Sequence, residues 1–98
     1  MNSQEILVKL RENETVLRAR GIRHVALFGS IARGDNHADS DIDILLEFDP
    51  ESHITIFDYV DLKEYIAGLF QGRVDVVNRD ALKPYVFTTV TMETRYAF

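Results

Sequence analysis

Three aspartates and one Gly-Ser pair are the residues of this chain whose types and spacing suit chemistry. Asp41 and Asp43 stand at i and i+2 where the apolar segment Asp41 to Phe48 opens. On an extended chain rising ~3.3 Å per residue, this spacing sets two carboxylates on one face about 6.6 Å apart. Side chains leaning together from that distance can straddle two divalent ions ~3.5–4 Å apart, the separation used in two-metal phosphoryl chemistry. Asp75 interrupts the run Val74-Asp75-Val76-Val77, where an acid is out of place unless something needs it, and would supply a third carboxylate. Without a cation, two charges ~6 Å apart repel by roughly 3 kcal/mol at an effective dielectric of 20. Either a pKa rises or a cation binds. Oxygen-only ligands favour magnesium or manganese over zinc.

Gly29 and Ser30 follow the apolar stretch Ile22 to Phe28 and precede a short helical piece, Ile31 to Arg33, stopped by Gly34. A strand ending in such a turn presents backbone N–H groups and a hydroxyl to an anion, and phosphate oxygens are the natural guest. Arg33 can reach the same phosphates as a bidentate donor. For Ser30, at the end of one strand, to face Asp41, at the start of the next, those strands must run antiparallel, so a mixed sheet is expected. Each feature has a plain alternative: Asp-x-Asp as a solvated strand edge, Gly-Ser as an ordinary turn, Asp75 and Arg33 as surface charges. Their conjunction is what points to a site. His24, His37 and His53 have no ligand spacing and are assigned to structure or solvent.

The elements that must hold these groups follow from periodicity. Asn2 to about Arg20 fits one amphipathic helix with Ile6, Leu7, Leu10 and Leu17 inward, Asn2 and Glu5 at capping-box spacing, and Gly21 just past its end. Asp41 to Phe48 alternates, with Asp41, Asp43 and Leu45 on one face and Ile42, Ile44, Leu46 and Phe48 on the other. Asp35 to Ser40 reads as a polar loop. Thr55 with Asp58 caps a second helix, whose expected inward stripe is Phe57, Tyr59, Leu62, Ile66 and Leu69, ending before Gly72. Arg73 to Asn78 reads as a third strand. Asp80 is placed to cap a last helix, although Val86 to Thr91 is rich in β-branched residues and reads equally as strand. The fold class is α/β, a small mixed sheet flanked by about four helices in one domain spanning residues 1–98.

Composition narrows the function classes. Ninety-eight residues suffice for one small core and leave little room for a substrate-holding second domain. The net charge of −5 argues against a nucleic-acid-binding surface, which needs a basic face, and favours a basic partner or a metal–nucleotide complex. With no cysteine, disulfides and thiolate metal sites are excluded. No apolar run approaches the ~20 residues of a membrane span, and the first residues are charged and amphipathic throughout, so a cytoplasmic location is expected.

Gly29-Ser30, ten intervening residues, Asp41-Ile42-Asp43 on a strand and one further Asp on a later strand resemble the DNA polymerase β-like nucleotidyltransferase superfamily. The fuller string GSIARGDNHADSDIDILLEF is similar to its minimal nucleotidyltransferase (MNT) branch, antitoxins encoded beside HEPN toxins. The resemblance extends to Gly72 to Val77 and the Leu82-Lys83-Pro84 step, while Tyr85 to Phe98 lacks the charged pattern of that family's last helix. It implies ATP and divalent metal as reactants, with AMP transferred to a tyrosine of a nearby-encoded HEPN ribonuclease, hence a hetero-oligomer. It assigns Gly29 and Ser30 to the triphosphate, Asp41 and Asp43 to both metals, and Asp75 to the catalytic metal and the attacking hydroxyl. Arg33 and Ser40 match positions of the nucleotide-binding motif. Two other readings stand beside it: an antitoxin that neutralises its partner by steric contact, and a small-molecule nucleotidyltransferase of the aminoglycoside type.

Overall fold

A computed structural model describes residues 2–34, 41–81 and 94–98. Helices α1 (Ser3–Glu12) and α2 (Glu14–Ala19) lead into strand β1 (Ile22–Phe28) and the short helix α3 (Gly29–Arg33). Strand β2 (Ile42–Phe48), helix α4 (Ile56–Ala67) and strand β3 (Val74–Asn78) follow, then a 3-10 turn (Arg79–Ala81) and strand β4 (Arg95–Tyr96). The four strands lie in the order β3-β2-β1-β4. β1 is antiparallel to both β2 and β4, while β2 and β3, joined through α4, are parallel. The sheet is mixed, as the facing of Ser30 and Asp41 required.

The expected single helix over Asn2 to Arg20 is two helices broken at Asn13. The Asn13 side-chain amide donates to the Lys9 carbonyl at 2.8 Å, and the Tyr65 hydroxyl of α4 donates to Asn13 Oδ1 at 2.7 Å. An asparagine bonded to backbone in this way competes with the helical ladder, and the tie from α4 fixes the break. Both halves still bury their apolar stripe, since Ile6, Leu10 and Leu17 have no exposed surface. Asn2 caps α1 by accepting the Glu5 N–H at 2.9 Å, as its spacing predicted.

One apolar core fills the layer between helices and sheet. Val25 and Leu27 of β1, Ile42, Ile44 and Leu46 of β2 and Val76 of β3 meet Ile6, Leu10, Leu17, Leu62 and Ile66. Alternation along β2 therefore holds, with Asp43 and Leu45 on the opposite face. Leu45 is nonetheless buried there, at 2% exposure. Phe57 departs from the expected stripe of α4 and is 79% exposed, whereas Leu62 and Ile66 are buried and Tyr59 and Leu69 partly so. Five residues separate Phe57 from Leu62, which at 3.6 residues per turn puts them on opposing sides of the helix.

Residues 94–98 form an edge that the periodicity did not announce. Tyr96 pairs with Ala26 and Arg95 with Leu27. Arg11 Nε donates to the Ala97 carbonyl at 2.8 Å, Arg95 Nη1 to Ser3 Oγ at 2.8 Å, and the Arg18 guanidinium sits 4.8 Å from the Phe98 ring centre. The last helix expected after Asp80 falls on 82–93, outside the described residues; Asp80 itself lies in the 3-10 turn.

Candidate active site

The antiparallel β1–β2 pair and the parallel β2–β3 pair bring the end of β1 and the starts of β2 and β3 to one edge of the sheet. Phe28, the last residue of β1, is the register partner of Asp43. Asp43 in turn is the register partner of Asp75. Register partners on adjacent strands point to the same face, so Asp43 and Asp75 stand side by side. Asp41 sits one step ahead of β2, where the Ile42 N–H donates to the Arg73 carbonyl at 2.9 Å and holds the two strand entries together. Asp43 is half-buried, and Asp41 and Asp75 are exposed.

Gly29 follows Phe28 with φ +79°, a left-handed backbone that turns the chain out of β1 into α3. Its position is also sterically specific. A Cβ built on Gly29 would run into the Asp43 carboxylate and lie 3.1 Å from Asp43 Cγ. Only glycine lets the turn pass this close to that carboxylate. Ile31 anchors α3 by inserting into the core, at 3% exposure, and Gly34 closes the turn by donating to the Ile31 carbonyl at 3.1 Å.

Gly29, Asp41, Asp43 and Asp75 therefore lie at one edge of the sheet. Ser30 and Arg33 lie in α3 at that same edge, but their side chains, like the whole of Ser40, fall outside the described residues. In residue type the three aspartates suit a hard divalent cation, since they offer an all-oxygen donor set. Among the described residues no three His, Asp or Glu side chains are grouped closely enough to hold a metal ion.

Two neighbours of this face were not assigned from the sequence. Arg79 of the 3-10 turn bridges Glu47 of β2 at 2.9 Å, joining the turn to the far end of β2. Tyr59 of α4 places its hydroxyl 3.5 Å from the Val76 carbonyl of β3. Burial pushes the Tyr59 phenol above its ordinary pKa; a backbone hydrogen bond at Asn78 opposes this, and the charge of Asp75 adds to it. The Arg79–Glu47 bridge depends on the parallel register of β2 and β3, and the Tyr59 contact on how α4 packs against β3; local sequence fixes neither.

The nucleotidyltransferase domain family matches residues 7–97. A protein of Thermococcus cleftensis named protein adenylyltransferase MntA is 37% identical over 94 residues, covering 95% of this chain and 93% of its own length. A solved structure of a candidate minimal nucleotidyltransferase superposes with a TM-score of 0.77 at 34% identity, covering 97% of this chain and 95% of that one. At 20% identity the fold is also shared, with a TM-score of 0.61, by a complex of a tri-AMPylated Shewanella oneidensis HEPN toxin with MNT antitoxin; 92% of this chain and 71% of that one are covered.

Proposed function

We propose that this chain, which belongs to the nucleotidyltransferase domain family, transfers AMP from ATP to a tyrosine of a HEPN-type toxin encoded nearby and so acts as its antitoxin. Its similarity over nearly the whole chain to a protein named as a protein adenylyltransferase supports AMP as the transferred group. The shared fold with a complex of an AMPylated HEPN toxin supports the acceptor and a hetero-oligomer. Among the described residues no helix is long and apolar enough to cross a membrane.

The observation that carries the reading is the register Phe28–Asp43–Asp75, which puts the Gly29 turn and two carboxylates at one sheet edge. Gly29 and Ser30 receive the β- and γ-phosphates, with Arg33 and Ser40 as further nucleotide contacts. Asp41, Asp43 and Asp75 are the residues that would hold magnesium or manganese, which would neutralise triphosphate charge when bound. Asp75, beside Asp43 and exposed to an incoming protein, positions the acceptor hydroxyl and takes its proton. The hydroxyl oxygen forms a bond to the α-phosphorus, the bond to the β-phosphate oxygen breaks, and pyrophosphate leaves. Positioning and charge placement supply most of such an acceleration.

The test is to purify the chain with its HEPN-type partner, add Mg-ATP and record intact masses of both proteins. An AMP-sized increment on the partner, abolished by Asp43→Asn in a protein of unchanged melting temperature, is expected. Unchanged masses with partner inhibition intact would replace AMP transfer by steric neutralisation, and pyrophosphate release without protein modification would point to a small-molecule acceptor.

A further inference from the structure

The first turn of α4 exposes an apolar surface that the catalytic edge does not use. Ile56 is 73% exposed, Phe57 79% and Val60 48%. Spaced i, i+1 and i+4, they share the solvent side of the helix. Isolated exposed apolar residues are ordinary, whereas a contiguous group containing an aromatic marks an interaction surface. Beside this group lies a groove of about 550 Å³ whose apolar walls include Phe48, Ile54, Ile56 and Tyr59 and whose charged lining residues, among those described, are Asp49 and Asp80.

Charge indicates what kind of occupant fits. Helix α4 carries Asp58, Asp61 and Glu64 against one cation, Lys63. The Lys63 ammonium is turned over the Tyr59 ring, 5.5 Å from its centre. An aromatic and aliphatic patch rimmed by carboxylates is complementary to an apolar anchor flanked by lysine or arginine. Phe57 and Val60 extend the apolar surface beyond the groove, so the shape suits a protein segment rather than an enclosed small molecule.

Position gives the surface a role. Phe48 lies five residues along β2 from Asp43, roughly 16 Å at the rise of a strand, so the groove sits at the edge of the sheet opposite the carboxylates. We propose that Phe57, Val60 and the adjoining groove form an exosite that holds a basic, apolar-anchored segment of the acceptor protein while another part of that protein reaches Asp75. This rests on the transfer reaction proposed above; binding alone tests the exosite, and modification tests the reaction.

The experiment uses the HEPN-type partner as probe and titrates it calorimetrically into the parent chain, into the double variant Phe57→Ser/Val60→Ser and into Asp43→Asn. Because both apolar residues are solvent-exposed, the double variant keeps its fold, which the melting temperature checks. Expected is a rise of Kd of about tenfold or more in the double variant, with tight binding retained by Asp43→Asn and affinity in the parent falling as salt is raised. In transfer assays the double variant raises the KM for the partner and leaves kcat and ATP affinity near those of the parent. Partner affinity unchanged by the double substitution, no binding by the parent, or a change only in self-association of this chain overturns the exosite. Normal binding without transfer by the parent overturns the reaction and leaves the exosite standing.

Discussion

Gly29→Ala should destabilise the fold through two separable contributions. The first is backbone: Gly29 holds φ +79°, a left-handed conformation that costs an L residue about 1–2 kcal/mol. The second is packing: the added Cβ would meet the Asp43 carboxylate and lie 3.1 Å from Asp43 Cγ, but 3.4 Å from Asp43 Cβ, an ordinary contact. Overpacking of this kind costs about 1–3 kcal/mol, which brings the expected loss to about 2–5 kcal/mol. Truncating Asp43 to alanine removes the Cγ and both oxygens and leaves the tolerated Cβ. In that background Gly29→Ala should cost only the backbone part, so the double-mutant cycle should return a coupling of about 1–3 kcal/mol. Urea unfolding of the four proteins, read at constant m, supplies each corner of the cycle. An equal cost in both backgrounds would refute the close approach of Gly29 to Asp43. A cost near zero in both would refute the left-handed turn as well.

Three further outcomes follow from other contacts. The Asp58 carboxylate accepts the Thr55 N–H at 3.0 Å and the Thr55 hydroxyl accepts the Asp58 N–H at 3.2 Å, holding the Asp58 pKa below its usual range chiefly through that backbone bond. A depressed folded-state pKa stabilises above the unfolded value and is lost as pH falls through the folded one. Asp58→Asn should therefore lower the melting temperature at neutral pH, with the gap closing in acid; a gap independent of pH would contradict the cap. The raised phenol of Tyr59 works in the reverse sense: its contribution is whole below the ordinary tyrosine pKa and fades as pH rises through the higher folded value. Near-UV absorbance should show a late-titrating tyrosine that moves down in Asp75→Asn, and an unmoved midpoint would separate the two residues. Arg11→Ala removes the donor to the Ala97 carbonyl and should cost about 1–2 kcal/mol. Hydrogen exchange at the Ala97 amide, bonded to Val25 O at 2.8 Å, should quicken; unchanged protection would show that β4 is held by other contacts.

Much of the site was legible because its information is local. Asp41 and Asp43 share a face through strand period alone, and Gly29 marks a turn because a left-handed backbone after a strand selects glycine. The break at Asn13 was not legible, since its cause includes the Tyr65 hydroxyl, 52 residues away. Phe57 was assigned to the core because its side chain is large and apolar, although its angular position on α4 opposes Leu62. The two-residue strand β4 is too short to give any period, and its place is set by Arg11, Arg95 and β1.

The amino-acid sequence by itself determined strands β1, β2 and β3, the caps of α1 and α4, the Gly29 turn and the acidic pair, because each rests on interactions within a few residues. Tertiary structure alone decided that Asp75 is the register partner of Asp43 and that the Gly29 backbone passes against its carboxylate. It also decided that α4 turns Phe57 outward. A pairing register is chosen by which apolar faces of distant segments bury together, and a slip of one residue would send Asp75 to the other face of the sheet. That choice belongs to the packed core as a whole, and no stretch of chain contains it.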